Sequence, residues 1–259
     1  VGGGPAGLEA ARVAALRGHA VTLWERTGTL GGRLAIAGTG HGRADLHRMR
    51  DWLLRQLEAS GALIETGREV TVAAIAAHSP DAVVLATGAL PSPPPLPGVD
   101  ALPVEAALAL DRAGWRGLAV AILDEAGSWA TLTAAETLAH AGAAVTVASR
   151  PDSPFWDVTV YSRMTALERL AALGVKLRPG LVPRAVEAGI LVCRDKHTGE
   201  TVHHGPFDRF VHAGRGTGAS EFQGALEAAG LAVHAVGDAL APRTLFEAMH
   251  DADAAGRAI

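Results

Sequence analysis

Three glycines open the chain at the spacing G-x-G-x-x-G: Gly2, Gly4 and Gly7 in Val1-Gly-Gly-Gly-Pro-Ala-Gly7. That pattern suits one chemistry, the holding of a pyrophosphate by main-chain N–H groups. Gly2 permits a tight turn, Gly4 lets the backbone approach the phosphates, and Gly7 allows a helix to pack closely on its strand. The helix beyond supplies N–H groups and a partial positive charge. Glu25 stands 18 residues beyond Gly7, at the end of the next apolar run. A carboxylate there accepts hydrogen bonds from ribose hydroxyls.

Other short segments repeat the theme. In Leu30-Gly-Gly-Arg33 the glycines let the chain pass close to a diphosphate, and Arg33 neutralises a phosphate. Val83-Val-Leu-Ala-Thr-Gly88 reads as a strand ending in a small turn, where Thr87 and Gly88 permit close backbone approach. Ala235-Val-Gly-Asp238, followed by Ala241-Pro-Arg-Thr244, reads as a strand, a Gly-Asp turn and a helix start. Asp238 then binds a sugar-like chain hydroxyl, and the helix start faces an anionic or electron-rich group. The plainer reading makes Asp238 a turn residue and Thr244 an N-cap.

A second turn of the same kind is spoiled. Leu123-Asp-Glu-Ala-Gly-Ser-Trp129 keeps only Gly127. Asp124 and Glu125 repel a pyrophosphate and Trp129 is bulky, so ordinary NAD(P)H binding is expected to be lost there.

Composition narrows the field. The chain has 259 residues, a formal charge of -4 and 49% hydrophobic residues, enough for one large domain or two small ones. The charge is spread along the chain, so no nucleic-acid surface is expected. No apolar run is long enough to span a bilayer and no signal pattern occurs, so a cytoplasmic, membrane-free protein is expected. Cys193 is the one cysteine. A lone thiol supplies neither an internal disulfide, nor a CxxC redox pair, nor the ligands of an iron–sulfur cluster, so it reads as a packing residue. His203 and His204 are adjacent, and in a strand their rings face opposite sides. With His197 they read as solvated hairpin residues. No metal-ligand spacing is present, and no metal site is expected.

These groups need elements to hold them. Leu8 to Arg17 reads as a helix stopped by Gly18, Ala20 to Trp24 as a strand, and Leu46 to Ser60 as a helix ended by Gly61. Ala62 to Glu65, Val70 to Val72 and Asp81 to Ala86 read as strands. Prolines at 91, 93, 94, 95 and 97 mark a crossing between lobes. The pattern restarts at Gly117: strand Leu118 to Leu123, helix Ala130 to Ala141, strand Ala144 to Ala148, and helix Val158 to Leu173 ended by Gly174. Val182 to Arg194 and Val202 to Ala213 read as strands of a meander turning at Thr198-Gly199. Ala232 to Val236 is a strand, and a helix runs from about Thr244.

The expected class is α/β, with two Rossmann-like (FAD/NAD(P)-binding) lobes on parallel sheets and the second inserted in the first. Residues 1–97 and 216–259 form the first lobe and 98–215 the second. A dinucleotide-binding unit has a full strand before its glycines and only Val1 stands there, so the sequence reads as a piece of a longer polypeptide.

The segments GGGPAGLEAARVAALRGHAVTLWER, LGGRL, VVLATGA and AVGDALAPRTLFEAMHDADAAGRAI together resemble the C-terminal half of trimethylamine dehydrogenase-like flavoenzymes. These group with the 2,4-dienoyl-CoA reductases among the NADH:flavin (old yellow enzyme-like) oxidoreductases. The resemblance covers essentially the whole chain. The turn Arg194-Asp-Lys-His-Thr-Gly-Glu200 and the degenerate second fingerprint look closest to the amine dehydrogenase and N-demethylase branch.

The resemblance implies an upstream TIM barrel with FMN and the substrate, a four-cysteine [4Fe–4S] site after it, and FAD or ADP in the first lobe. It implies Gly2, Gly4, Pro5, Ala6, Gly7, Glu25, Arg26, Gly32, Arg33, Val70, Thr87, Gly88, Gly237, Asp238 and Thr244 as nucleotide contacts. Catalytic residues have no counterpart in this segment. An electron acceptor such as an electron-transfer flavoprotein and a homo-oligomeric assembly are further expectations. The rivals are a self-contained NAD(P)H-dependent FAD reductase and a non-catalytic ADP-binding scaffold subunit.

Overall fold

A computed structural model describes residues 1–96 and 98–259. Pro97, the last proline of the expected crossing, lies outside the described residues. The chain divides into two compact units, one of Val1–Gly38, Ala44–Pro91 and Gly216–Ile259, the other of Thr39–Arg43 and Ser92–Arg215.

In chain order the elements begin with α1 (Pro5–Leu16), β1 (Thr22–Trp24), α2 (Gly32–Gly38), α3 (Asp45–Ala59), β2 (Leu63–Glu65), α4 (Val72–Ala77), β3 (Ala82–Leu85) and β4 (Ala89–Leu90). Next come β5 (Ala101–Pro103), α5 (Val104–Ala109), β6 (Ala119–Asp124), α6 (Trp129–His140), β7 (Ala144–Ser149), α7 (Val160–Ala172), β8 (Lys176–Arg178) and β9 (Leu181–Glu187). The remainder is β10 (Ile190–Asp195), β11 (Thr201–His204), β12 (Arg209–Ala213), β13 (Thr217–Gly218), α8 (Gln223–Ala228), β14 (Ala232–Ala235) and α9 (Leu245–Ala258).

The first unit is built on α1. Pro5 sits at its first position, where a missing N–H costs nothing. Gly18 closes it at φ +95°, with its N–H on the Ala15 carbonyl. One face of α1 presents Leu8 and Ala11 to Leu23, Leu34, Leu53 and Leu57. Burying Leu53 and Leu57 of α3 contributes about 1.5–3 kcal/mol each. The other face presents Ala6 and Ala10 to Ala248, Ala252 and Ala255 of α9. These small residues let the two helices approach closely: a Cβ on Gly256 would lie 2.9 Å from the Ala10 carbonyl oxygen. β1 pairs with β2 and β14 with β3, both in parallel, while β13 and β4 form an antiparallel pair. Val1 stands between them. Its carbonyl accepts the Ala86 N–H at 2.8 Å, and the next N–H, of Gly2, reaches Trp24 at 2.8 Å.

The second unit carries a parallel sheet in the order β5-β12-β6-β7-β8 and an antiparallel meander β11-β10-β9. Val120 to Leu123 of β6 are fully buried, as a central parallel strand covered on both faces must be. Cys193 packs inside with Leu123, Leu191 and Phe210, as its composition-based reading requires.

Three expectations need correction. Val70 to Val72 is not a strand: Thr71 accepts the Ala74 N–H at 3.2 Å and starts α4. Val182 to Arg194 is two strands, divided at Ala188 and Gly189, both with positive φ (48° and 80°), as a tight hairpin demands. Val202 to Ala213 is also divided. Pro206 lacks the N–H a ladder needs, so β11 stays in the meander while β12 leaves it and enters the parallel sheet between β5 and β6.

Candidate functional site

The glycine turn has a distinct structural reason at each position. Gly2 adopts φ +101°, and a Cβ there would sit 2.3 Å from the Ala86 carbonyl oxygen. A Cβ on Gly7 would lie 1.8 Å from the Gly2 carbonyl oxygen, so only glycine lets α1 start this close to the turn. At Gly4 the opposite holds, because nothing lies within 4 Å of where a Cβ would point. No side chain caps α1, and its first turn carries no acid. The result is a helix start with an open, side-chain-free approach and two closed flanks, which suits a diphosphate.

A second glycine pair forms the facing wall. Gly31 (φ +113°) donates to the Gly3 carbonyl at 2.8 Å, and a Cβ on Gly32 would lie 3.1 Å from the Gly4 Cα. Sequence reasoning gave Gly3 no role and read Gly31 only as part of the Leu30-Gly-Gly-Arg33 loop. A Cβ on Gly3 would meet Leu30 at 2.4 Å, and the Gly3 N–H donates to Glu25 Oε2 at 2.7 Å. For Gly3 the unbroken run Gly2-Gly3-Gly4 was the available signal.

Glu25 is buried at the end of β1. Its Oε1 accepts the Thr27 N–H at 2.7 Å and stands 2.7 Å from the Thr27 hydroxyl. Burial pushes the carboxyl up, but the bonds from Thr27 and Gly3 and the charge of Arg26 outweigh it, leaving Glu25 below its ordinary value. The expectation of two ribose bonds is thereby narrowed. Of about four lone-pair positions on a carboxylate, three are approached by protein donors, and Oε2 keeps the spare capacity. Arg26 is exposed. Val70 turns its side chain into the core with Trp24 and Ile75, so only its main chain is left for a ligand.

At the far side Arg33 Nη1 meets Asp238 Oδ2 at 3.0 Å. The Thr87 hydroxyl donates to the Ala219 carbonyl, and the Gly88 carbonyl accepts the Ala219 N–H at 2.9 Å. Gly237 (φ +59°) packs against Ala6, since a Cβ would lie 2.9 Å from the Ala6 Cβ. The first unit therefore gathers the glycine turn, Glu25, Gly32-Arg33, Thr87-Gly88 and Gly237-Asp238. Thr244 serves as the N-cap of α9. Its hydroxyl accepts the Phe246 N–H at 3.2 Å and joins Glu247 in a capping box that closes the start of α9.

The corresponding turn of the second unit is closed by its own atoms. Asp124 Oδ1 accepts the Gly127 N–H at 2.8 Å, the Ala126 N–H at 3.2 Å and the Thr131 hydroxyl at 2.8 Å. Ala126 and Glu125 N–H groups also reach the Ala213 carbonyl, at 3.0 Å each. Burial raises the Asp124 carboxyl, against the pull of those hydrogen bonds. A carboxylate thus stands where an anionic ligand would find donors. Trp156 covers the same turn, since a Cβ on Gly127 would meet its ring at 2.3 Å. Arg215 holds that ring from 5.0 Å and pairs with Asp157 at 3.1 Å. Asp124, Glu125, Gly127 and Trp129 were read from the sequence; Trp129 starts α6, and the ring against Gly127 is that of Trp156. Trp156, 27 positions beyond Trp129 and outside the turn, gave no local signal.

Among the described residues, no group of three or more His, Cys, Asp or Glu side chains could hold a metal ion. Nor is any helix among them long and apolar enough to cross a membrane.

Residues 1–188 match the family described as Pyridine nucleotide-disulphide oxidoreductase. An NADH oxidase of Thermoanaerobacter brockii is 35% identical over 73% of this chain and 30% of its own length. A probable N-methylproline demethylase of Rhizobium meliloti (strain 1021) is 40% identical over 60% of this chain and 23% of its own. Histamine dehydrogenase from Rhizobium sp. 4-9 superimposes with a TM-score of 0.90 at 26% identity, over 100% of this chain and 43% of that one. The chain thus spans under half the length of each of these proteins. It belongs to the pyridine nucleotide-disulphide oxidoreductase family, and its two nucleotide-type units are similar to those of the trimethylamine dehydrogenase-like flavoenzymes.

Proposed function

We propose that the first unit holds an adenine nucleotide, FAD or ADP, and that the chain serves a flavin-dependent oxidoreductase acting on a methylated or primary amine. The observation that carries the nucleotide reading is the contrast at the glycine turn. Gly2 and Gly7 have no room for a Cβ, whereas Gly4 faces open space beside an uncapped helix start. The diphosphate would lie at Gly4 and Gly32, with Arg33 as its counter-charge. The ribose would lie at Glu25 Oε2, beside Arg26 and the Val70 main chain. Asp238 would accept a polyol hydroxyl if the nucleotide is FAD.

Bound FAD supplies two-electron redox chemistry, whereas bound ADP is structural. The residues described here bind and orient the nucleotide. Oxidation of the amine belongs to an FMN- and [4Fe–4S]-bearing domain or subunit upstream, with an electron-transfer flavoprotein as the kind of acceptor. The amine assignment draws support from the demethylase and histamine dehydrogenase likenesses. The closed turn at Asp124 and Trp156 speaks against a working NAD(P)H site in the second unit. The NADH oxidase likeness favours a second reading, an NAD(P)H-dependent FAD reductase.

Titration of the full chain with ADP, FAD and NADPH, with mass analysis of any nucleotide released on denaturation, tests these readings. ADP or FAD is expected to bind and NADPH not. Binding of neither adenine nucleotide sinks the site assignment. Saturable NADPH binding sinks the reading of the second turn and restores the reductase.

A further inference from the structure

The loop from Val236 to Thr244 carries Asp238, but the side chain that fixes it comes from α9. We propose that Asp251 is a positioning residue that sets the Gly237-Asp238 turn and, through it, recognition of the polyol part of a flavin nucleotide. This rests on the reading of Asp238 given above.

The connection is a short chain of contacts within the first unit. Asp251 Oδ2 accepts the Gly237 N–H at 3.3 Å and is bonded by the Arg243 guanidinium. The Arg243 main-chain N–H donates to Asp238 Oδ1 at 3.2 Å. Asp238 Oδ2 meets Arg33 at 3.0 Å. One carboxylate thus holds Gly237 directly and also holds Arg243, whose main-chain N–H donates to Asp238 Oδ1. Gly237 is itself closely packed, since a Cβ there would lie 2.9 Å from the Ala6 Cβ and 3.3 Å from the Ala248 Cβ. Asp251 also neutralises Arg243. Asp251 lies six positions past the first residue of α9, with its side chain only 17% exposed, so its part is played through Asp238.

ADP and FAD separate this role from a merely structural one, because only FAD carries the polyol. In the full chain, Asp251→Ala is expected to weaken FAD about tenfold while leaving ADP within about twofold. Asp251→Asn keeps an oxygen for the Gly237 N–H and is expected to recover much of the loss. Asp238→Ala should cost FAD a similar factor, and Asp251→Ala should add nothing on top of it. Equal weakening of ADP and FAD in the Asp251 variants overturns the proposal, as does full additivity with Asp238→Ala. A parent chain that binds ADP but not FAD also overturns it, since no polyol is then held. A parent chain that binds neither, or an Asp238→Ala variant with unchanged FAD affinity, refutes instead the site reading beneath it.

Discussion

Gly4→Val separates the binding role of the glycine turn from its structural role. Gly4 has φ -74° and ψ -179°, extended backbone open to any residue, and nothing lies within 4 Å of its Cβ direction. Two small stability terms then offset one another. Weakening the N-cap costs about 0.5–1 kcal/mol, and restricting the unfolded chain contributes about 0.4–1 kcal/mol. The urea midpoint is expected to stay within about 0.5 kcal/mol of the parent. Binding should respond differently. The isopropyl group would occupy the open space beside Gly4 in which the proposed diphosphate approaches the N–H groups at the start of α1. Losing two charge-assisted hydrogen bonds of about 1.5–3 kcal/mol each weakens ADP by at least about 100-fold. Gly7→Ala is the counterpart. Its Cβ would sit 1.8 Å from the Gly2 carbonyl oxygen, so overpacking of about 1–3 kcal/mol should appear in the melt as well as in the affinity. Calorimetric titration with ADP beside urea unfolding reads both quantities. A folded Gly4→Val chain that binds ADP at parental affinity refutes the cradle, and one that melts like Gly7→Ala refutes the open approach.

Two further outcomes concern the second unit. Because burial raises the Asp124 carboxyl, its ionised form is penalised in the folded state: stability is full below its ordinary value of 3.8 and falls as pH rises through the folded value. Asp124→Asn, which keeps the oxygen that three donors share, should therefore be more stable than the parent at pH 7, with the gap closing toward pH 4. Asp124→Ala should be less stable by about 1–3 kcal/mol. Urea unfolding at the two pH values checks this, and an Asn variant weaker than the parent at pH 7 counts against it. Cys193 is fully buried and its thiol is pushed up to about 11 by burial. Iodoacetamide at pH 8 should leave it untouched in the folded chain and modify it once urea is added, as mass spectrometry would record. Modification of the folded chain would contradict the packing around it.

Local rules carried the glycine turn, Glu25 and the Gly237-Asp238 turn, because each depends on residue types a few positions apart and on a period of two or 3.6. The helices at Leu8, Leu46 and Ala130 were legible for the same reason. Tertiary structure decided the rest. Whether Val202 to Ala213 was one strand or two depended on which sheet could accept β12, and that choice lies in β5 and β6, about a hundred residues earlier. The Asp124 turn looked merely unfavourable to phosphate in sequence. Its filled state follows from a carboxylate that folds back onto Gly127 and from Trp156 arriving from a distant loop. Asp251 carried no signal at all, since an aspartate on a helix is ordinary and its meaning comes from the Gly237 N–H it meets 14 positions away. Spacing along the chain marked which groups are candidates to bind a diphosphate. Which oxygens and N–H groups are already taken is a property of the packed molecule, because hydrogen bonds are settled by neighbours in space.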